Sequence, residues 1–185
     1  MKKVFFTIII GVLASISAMA QDTYYKYDTY IRISGNIGFS ASSERNEKLG
    51  IGGDIFWLAA DNLFLMNRNN FITLGVKGFN NPYGEGSYVT SIMNGKNDGF
   101  NCIIALVGYR VTKQGAEQGL FVEPRMGIAF GSNYSAYAFS PLFGYSYNNI
   151  EFSIFCDMGF SNQRNALMKN NFYTPGISLA YNLKL

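Results

Sequence analysis

Histidine is absent from this chain of 185 residues, and cysteine, tryptophan and proline number only two, one and four. Without an imidazole there is no His-based general base and no Ser-His-Asp or Cys-His arrangement. No Cys/His cluster has metal-ligand spacing, and no glycine loop opens a helix to cradle phosphate. Gly50-Ile51-Gly52-Gly53 lies inside a strand pattern, where it signals close packing or a bulge. A Ser/Lys pair or two carboxylates remain formally possible as routes to catalysis. Glu123, Glu151 and Asp157 read more simply as ion-pair members, so no catalytic residue, cofactor or metal is expected. Charge is also scarce, at 15% of residues.

Long apolar runs are missing beyond the first twenty residues, so no helical membrane span is expected. The start itself reads as a targeting segment. Lys2 and Lys3 are followed by the mostly apolar Val4 to Ser17 and the small-x-small pattern Ala18-Met19-Ala20. Cleavage between Ala20 and Gln21 is the expectation, giving a signal peptide at 1–20 and one domain at 21–185. A retained anchor is the alternative, and the stretch is short for one. Loss of Lys2 and Lys3 takes the formal net charge from +3 to +1, which argues against a nucleic-acid partner. Cys102 and Cys156 fall in the fourth and seventh expected strands, which are not neighbours. They read as unpaired residues packed as small apolar ones.

What the chain does have is alternation. From Gly119 to Phe130, Leu120, Val122, Pro124, Met126, Ile128 and Phe130 share one parity, while Glu123 and Arg125 sit on the other. Strand side chains point alternately to opposite faces, so one face is apolar and the other charged. The same reading gives strands at about 30–40, 49–59, 71–79, 99–111, 119–130, 137–147, 150–160 and from 173 to the end. Connections at 41–48, 80–98, 131–136 and 161–171, which include the longest loop, share one end; those at 60–70, 112–118 and 148–149, which tend to be shorter, share the other. Asn148-Asn149 is a tight hairpin turn, and the 60–70 connection is long for its side. The fold class expected is all-β, an antiparallel up-and-down transmembrane β-barrel of about eight strands.

Nine strand charges are expected to point inward: Arg32, Asp54, Lys77, Arg110, Glu123, Arg125, Glu151, Asp157 and Lys184. Facing lipid at mid-depth would cost an Arg or Lys about 2–4 kcal/mol. Glu123/Arg125 and Glu151/Asp157 test the phase, because two charges on one strand must agree. Their signs nearly cancel, and a barrel this narrow is filled by side chains, so a core of ion pairs is expected in place of a pore. Trp57, Tyr109, Tyr145 and Tyr181 collect near one rim; Phe39, Phe130, Phe160 and Tyr173 collect near the other. Pro124, Pro141 and Pro175 predict bulges or shortened pairings.

At Gly108-Tyr109-Arg110, the polar turn after it and Leu120-Phe-Val-Glu-Pro-Arg-Met-Gly127, the chain resembles the small outer-membrane β-barrel domain proteins of Bacteroidetes-type bacteria. The closing Tyr181-Asn-Leu183-Lys-Leu185 is similar to the C-terminal signal read by barrel-insertion machinery, though it ends in Leu where an aromatic residue is usual. The resemblance implies the cell outer membrane as location, with lipid and the insertion machinery as partners. The expected role is structural or surface-interacting. The Asn80–Asp98 loop, with Asn81, Tyr83, Glu85, Tyr88 and Lys96, is the candidate contact surface for an unidentified partner. A passive pore is one alternative. A soluble exported lipid-binding barrel is another, but it would need the opposite phase, apolar inside and polar outside.

Overall fold

Strict alternation favours extended backbone here, because a strand sends successive residues to opposite sides. The computed structural model describes residues 28–42, 45–61, 69–80, 101–130, 135–165 and 168–185. They form ten strand segments: β1 (Thr29–Ser42), β2 (Arg45–Ala60), β3 (Phe71–Asn80), β4 (Asn101–Thr112), β5 (Gly119–Glu123), β6 (Arg125–Phe130), β7 (Ser135–Phe139), β8 (Leu142–Tyr147), β9 (Ile150–Asn165) and β10 (Met168–Lys184). All pairings are antiparallel, and β10 pairs with β1 from Tyr30 opposite Lys184 to Ser42 opposite Phe172. That pairing closes the sheet. β5 and β6 are one stave interrupted at Pro124, and β7 and β8 are one stave interrupted at Ser140 and Pro141. The result is a closed antiparallel barrel of eight staves.

The expected loops at 41–48 and 161–171 are shorter than the sequence pattern suggests. β2 begins at Arg45, β9 runs on to Asn165 and β10 begins at Met168. Backbone pairing continues past the apolar band because hydrogen bonding between strands needs no alternation of side-chain polarity. Asn148 and Asn149 turn between β8 and β9 with φ of 48° and 68°. That left-handed pair is what a two-residue hairpin of this twist requires, and asparagine tolerates it.

The three prolines among the described residues, Pro124, Pro141 and Pro175, fall on one line. Val111 opposite Val122 and Gly108 opposite Arg125 belong to one unbroken register, which sets Pro124 beside Tyr109. Glu123 opposite Leu142 and Met126 opposite Phe139 set Pro124 beside Pro141. Pro141 then meets Cys156, whose N–H donates to its carbonyl at 3.3 Å, and Cys156 lies opposite Pro175. On the far side of Pro175 the pairing skips from Gly38/Gly176 to Ala41/Tyr173. Each proline removes one ladder donor, and the three gaps lie on alternate seams of the wall.

The wall is apolar outside. Ile33, Ile55, Val76, Val107, Leu120, Met126, Phe143, Phe152, Ile154, Ile177 and Leu179 are all exposed. The buried side chains face the lumen and include Arg32, Arg110 and Arg125, the largest of them. Cys102 faces the lumen and Cys156 lies on the outer side, so the wall separates them.

Candidate functional site

The lumen holds the chemistry. Inward parity on six staves brings four cations, Arg32, Lys77, Arg110 and Arg125, against four carboxylates, Asp54, Glu123, Glu151 and Asp157, all buried. Six of these charges form one chain of alternating sign. Arg32 pairs with Asp54, and its Nε meets Glu151 at 2.7 Å. Arg110 reaches Glu151 at 2.8 Å and Glu123 at 2.7 Å, and Arg125 completes the chain on Glu123 at 2.7 Å. Lys77 and Asp157 form a separate pair at 2.8 Å, and Ser140 donates its hydroxyl to Asp157 at 2.5 Å. Asn36 donates to Asp54 at 3.0 Å, and Ser178 accepts from Arg32 at 3.1 Å. Four positive and four negative groups cancel, the condition under which buried charge is tolerable.

Phenylalanines and glycines make room for these ions. Phe56 lies opposite Gly75, Phe121 opposite Gly144 and Phe155 opposite Gly176. A Cβ on Gly75 would come 2.5 Å from the Phe56 ring, on Gly144 2.6 Å from Phe121, and on Gly176 2.5 Å from Phe155. Each ring therefore covers a bare backbone position on the next stave. On each ring rests a cation: Arg125 at 4.1 Å over Phe56, Arg110 at 4.1 Å over Phe121, and Lys77 at 3.2 Å over Phe155. The order glycine, ring, cation, carboxylate recurs three times, adding cation–π attraction to the ion pairs. Phe56 and Leu58 break the simple alternation of β2, and the glycine on the neighbouring stave was the available signal for Phe56. Ile104, Leu106, Phe79, Ala129, Ala138 and Phe172 fill another part of the lumen with apolar side chains.

The turn from Lys113 to Gln118 folds across the end of the barrel that carries the chain terminus. Ala116 is buried, its carbonyl accepts from Asn182 at 2.9 Å, and Glu117 accepts from the Tyr30 hydroxyl at 2.8 Å. The Glu117 carbonyl also accepts from the N–H of Asn149 at 3.3 Å. Asn69 donates to the Lys113 carbonyl at 2.8 Å. Gly115 and Gly119, with φ of 87° and 100°, bend the turn inward.

Eight of the nine charges singled out in the sequence are buried in the lumen. Lys184 is the correction: its side chain is 46% exposed and pairs with Asp28 at 2.9 Å and Glu117 at 3.4 Å. Its parity is inward, but it stands in the last residues of its stave, where the lumen gives way to the rim. The contact-loop residues Asn81, Tyr83, Glu85, Tyr88 and Lys96 lie outside the described residues, as do Ala20 and Gln21. Among the described residues no group of His, Cys, Asp and Glu could hold a metal ion. Among the described residues the four buried acids are each engaged by a cation.

No protein family matches the chain, and no curated protein matches it in sequence. Solved structures match in shape. The attachment invasion locus protein Ail of Yersinia pestis aligns with a TM-score of 0.52 at 8% identity, covering 87% of this chain and 100% of that one. The Neisserial surface protein A aligns at 0.49 with 10% identity, covering 83% of this chain and 96% of that one. The chain has the closed eight-stranded fold of small outer-membrane barrels.

Proposed function

We propose that the protein is a non-catalytic outer-membrane barrel that serves as a rigid scaffold, structural or surface-interacting, and does not conduct. The observation that carries this reading is the reversed distribution of polarity: a wall of exposed Ile, Leu, Val, Phe and Met around a lumen of buried ion pairs. A water-soluble barrel would pay for such a wall with a large exposed apolar surface, whereas lipid is its natural solvent. The resemblance to Bacteroidetes-type barrel domains agrees with this location. Contact with a surface partner is assigned to the Asn80–Asp98 loop, since recognition on rigid scaffolds is carried by loops.

The pore reading has less support, because Arg32, Arg110, Glu123 and Glu151 are 0% exposed and the 113–118 turn covers one mouth. Fractionation tests the location: the protein partitions with the outer membrane and migrates faster unheated than heated on a denaturing gel. Recovery in the soluble fraction would overturn it. Deleting 81–96 should leave insertion intact and abolish binding of cells to an added surface partner. Retained binding would remove the loop from the proposal.

A further inference from the structure

We infer that the 113–118 turn is a latch on the seam between β1 and β10, which holds the finished barrel closed. Every other pair of neighbouring staves is joined by chain at one end, and that limits how far the two separate when their hydrogen bonds break. β1 and β10 are the first and last staves, with no connection between them at either end. Their seam is weakened further where the pairing skips from Gly38/Gly176 to Ala41/Tyr173, beside Pro175, which has no N–H to donate. Opening of the wall therefore begins here.

The turn reaches that seam from the farthest point of the wall. It joins β4 to β5, and four staves lie between that junction and the β10–β1 seam in either direction. It crosses the mouth and ends on both sides of the seam. The Glu117 carboxylate accepts from Tyr30 Oη on β1 at 2.8 Å and faces Lys184 Nζ on β10 at 3.4 Å. Tyr30 and Lys184 are partners in the seam register, so one side chain touches both members of one pair. The Ala116 carbonyl accepts from Asn182 Nδ2, also on β10, at 2.9 Å. The turn is shaped at its own base, where the Thr112 hydroxyl donates to the Gly115 carbonyl at 3.1 Å and Gly115 bends the chain at φ 87°. Tyr30 is held from behind by the Phe71 ring, edge-on at 5.7 Å. The Lys184 arm is half exposed and screened by water, so Tyr30 and Asn182 supply the holding contacts. These two donors stand on the two sides of the seam while both acceptors belong to the turn. The complete set forms only once β10 has docked on β1, which makes the turn a fastening of the closed state.

Amide hydrogen exchange at the seam reads the latch directly. The Leu185 N–H donates to the Thr29 carbonyl at 2.9 Å, and hydrogen-bonded pairs alternate along an antiparallel ladder. The N–H groups of Ile31 and Ile33 therefore point into the β10–β1 seam. By the same rule the Tyr109 N–H, donating to the Pro124 carbonyl, places those of Ala105 and Val107 in the opposite seam, against β6. Exchange is followed residue by residue in the purified protein in detergent micelles. Glu117→Ala is expected to speed exchange at Ile31 and Ile33 about tenfold, the loss of one hydrogen bond to a charged group, and to leave Ala105 and Val107 unchanged. Tyr30→Phe, which keeps the ring on Phe71, should do the same, and the double variant no more than either alone. Closing the seam covalently is the second arm. Ile31 and Leu183 are register partners with Cα atoms about 5.5 Å apart, within disulfide range. Ile31→Cys with Leu183→Cys, in a chain with Cys102→Ala and Cys156→Ala, should abolish the effect of Glu117→Ala when oxidised and restore it when reduced. Equal acceleration at both seams, unchanged exchange at Ile31 and Ile33, or an effect of Glu117→Ala that survives oxidation would each overturn the inference and leave the turn a cap on the mouth. The inference stands apart from the membrane reading, since the seam belongs to the barrel in any solvent.

Discussion

Glu123 accepts from Arg110 through one oxygen and from Arg125 through the other, each at 2.7 Å, so two buried guanidiniums depend on one carboxylate. Glu123→Gln would leave both short of charge compensation. Breaking a buried pair costs about 3–5 kcal/mol, and a loss of that size is expected as a fall in the urea midpoint, read by band shift. An unchanged midpoint would mean the chain of ion pairs contributes no stability. Lys184→Ala should not move that midpoint, because its ion pairs are half exposed and screened by water. The contrast shows what parity alone conveyed: it gave the direction of all nine charges, but not how close each stood to a rim. The glycines make a second comparison. A methyl on Gly75 would lie 2.2 Å from the Ile55 carbonyl oxygen, while one on Gly35 would meet nothing within 4 Å. Gly75→Ala is expected to cost about 1–3 kcal/mol by overpacking, and Gly35→Ala nothing measurable in the same assay.

At the level of the stave, the hairpin between β8 and β9 was legible because Asn-Asn is a known answer to a two-residue turn with both φ angles positive. Asn149→Val puts a β-branched residue at φ 68° and is expected to destabilise the barrel by about 1–2 kcal/mol. Asn149→Gly should match or exceed the native midpoint. Equal behaviour of valine and glycine would show that the turn contributes nothing to folding. Other strand ends were hidden. The polar end parts of β2, β9 and β10 carry no apolar stripe, so pattern reading stopped near the edge of the apolar band while backbone pairing went on. Pro124 and Pro141 announced interruptions correctly. Their common row with Pro175 became visible only through the pairing registers, since residues 124, 141 and 175 are remote in sequence.

Across the whole molecule, the covering of one mouth by a turn and the filling of the lumen are two separate facts, and only the second followed from the sequence. Eight staves give a bore about as wide as its side chains, so balanced inward charge already implied a filled core. The 113–118 turn reads as a plain polar loop, and nothing in its composition announces that Ala116 is buried or that Asn182 holds it. This separation decides what opening the turn should do. If the turn were the gate, replacing 113–118 with a two-residue Asn-Gly connection would give stepwise conductance in a planar bilayer. The packing beneath argues otherwise: Arg32, Arg110 and Glu151 are buried and held to one another, and Phe121 and Phe56 support the chain from the wall. The shortened protein is therefore expected to stay silent across the bilayer while its unfolding midpoint falls, because Asn182 and Tyr30 lose their partners. A variant that also cuts the chain of ion pairs, Arg110→Ala with Glu151→Ala, removes two bulky side chains from the bore and should admit ions only when the turn is shortened as well. Conductance from the shortened turn alone would make that turn, and not the ion pairs, the closure of the barrel.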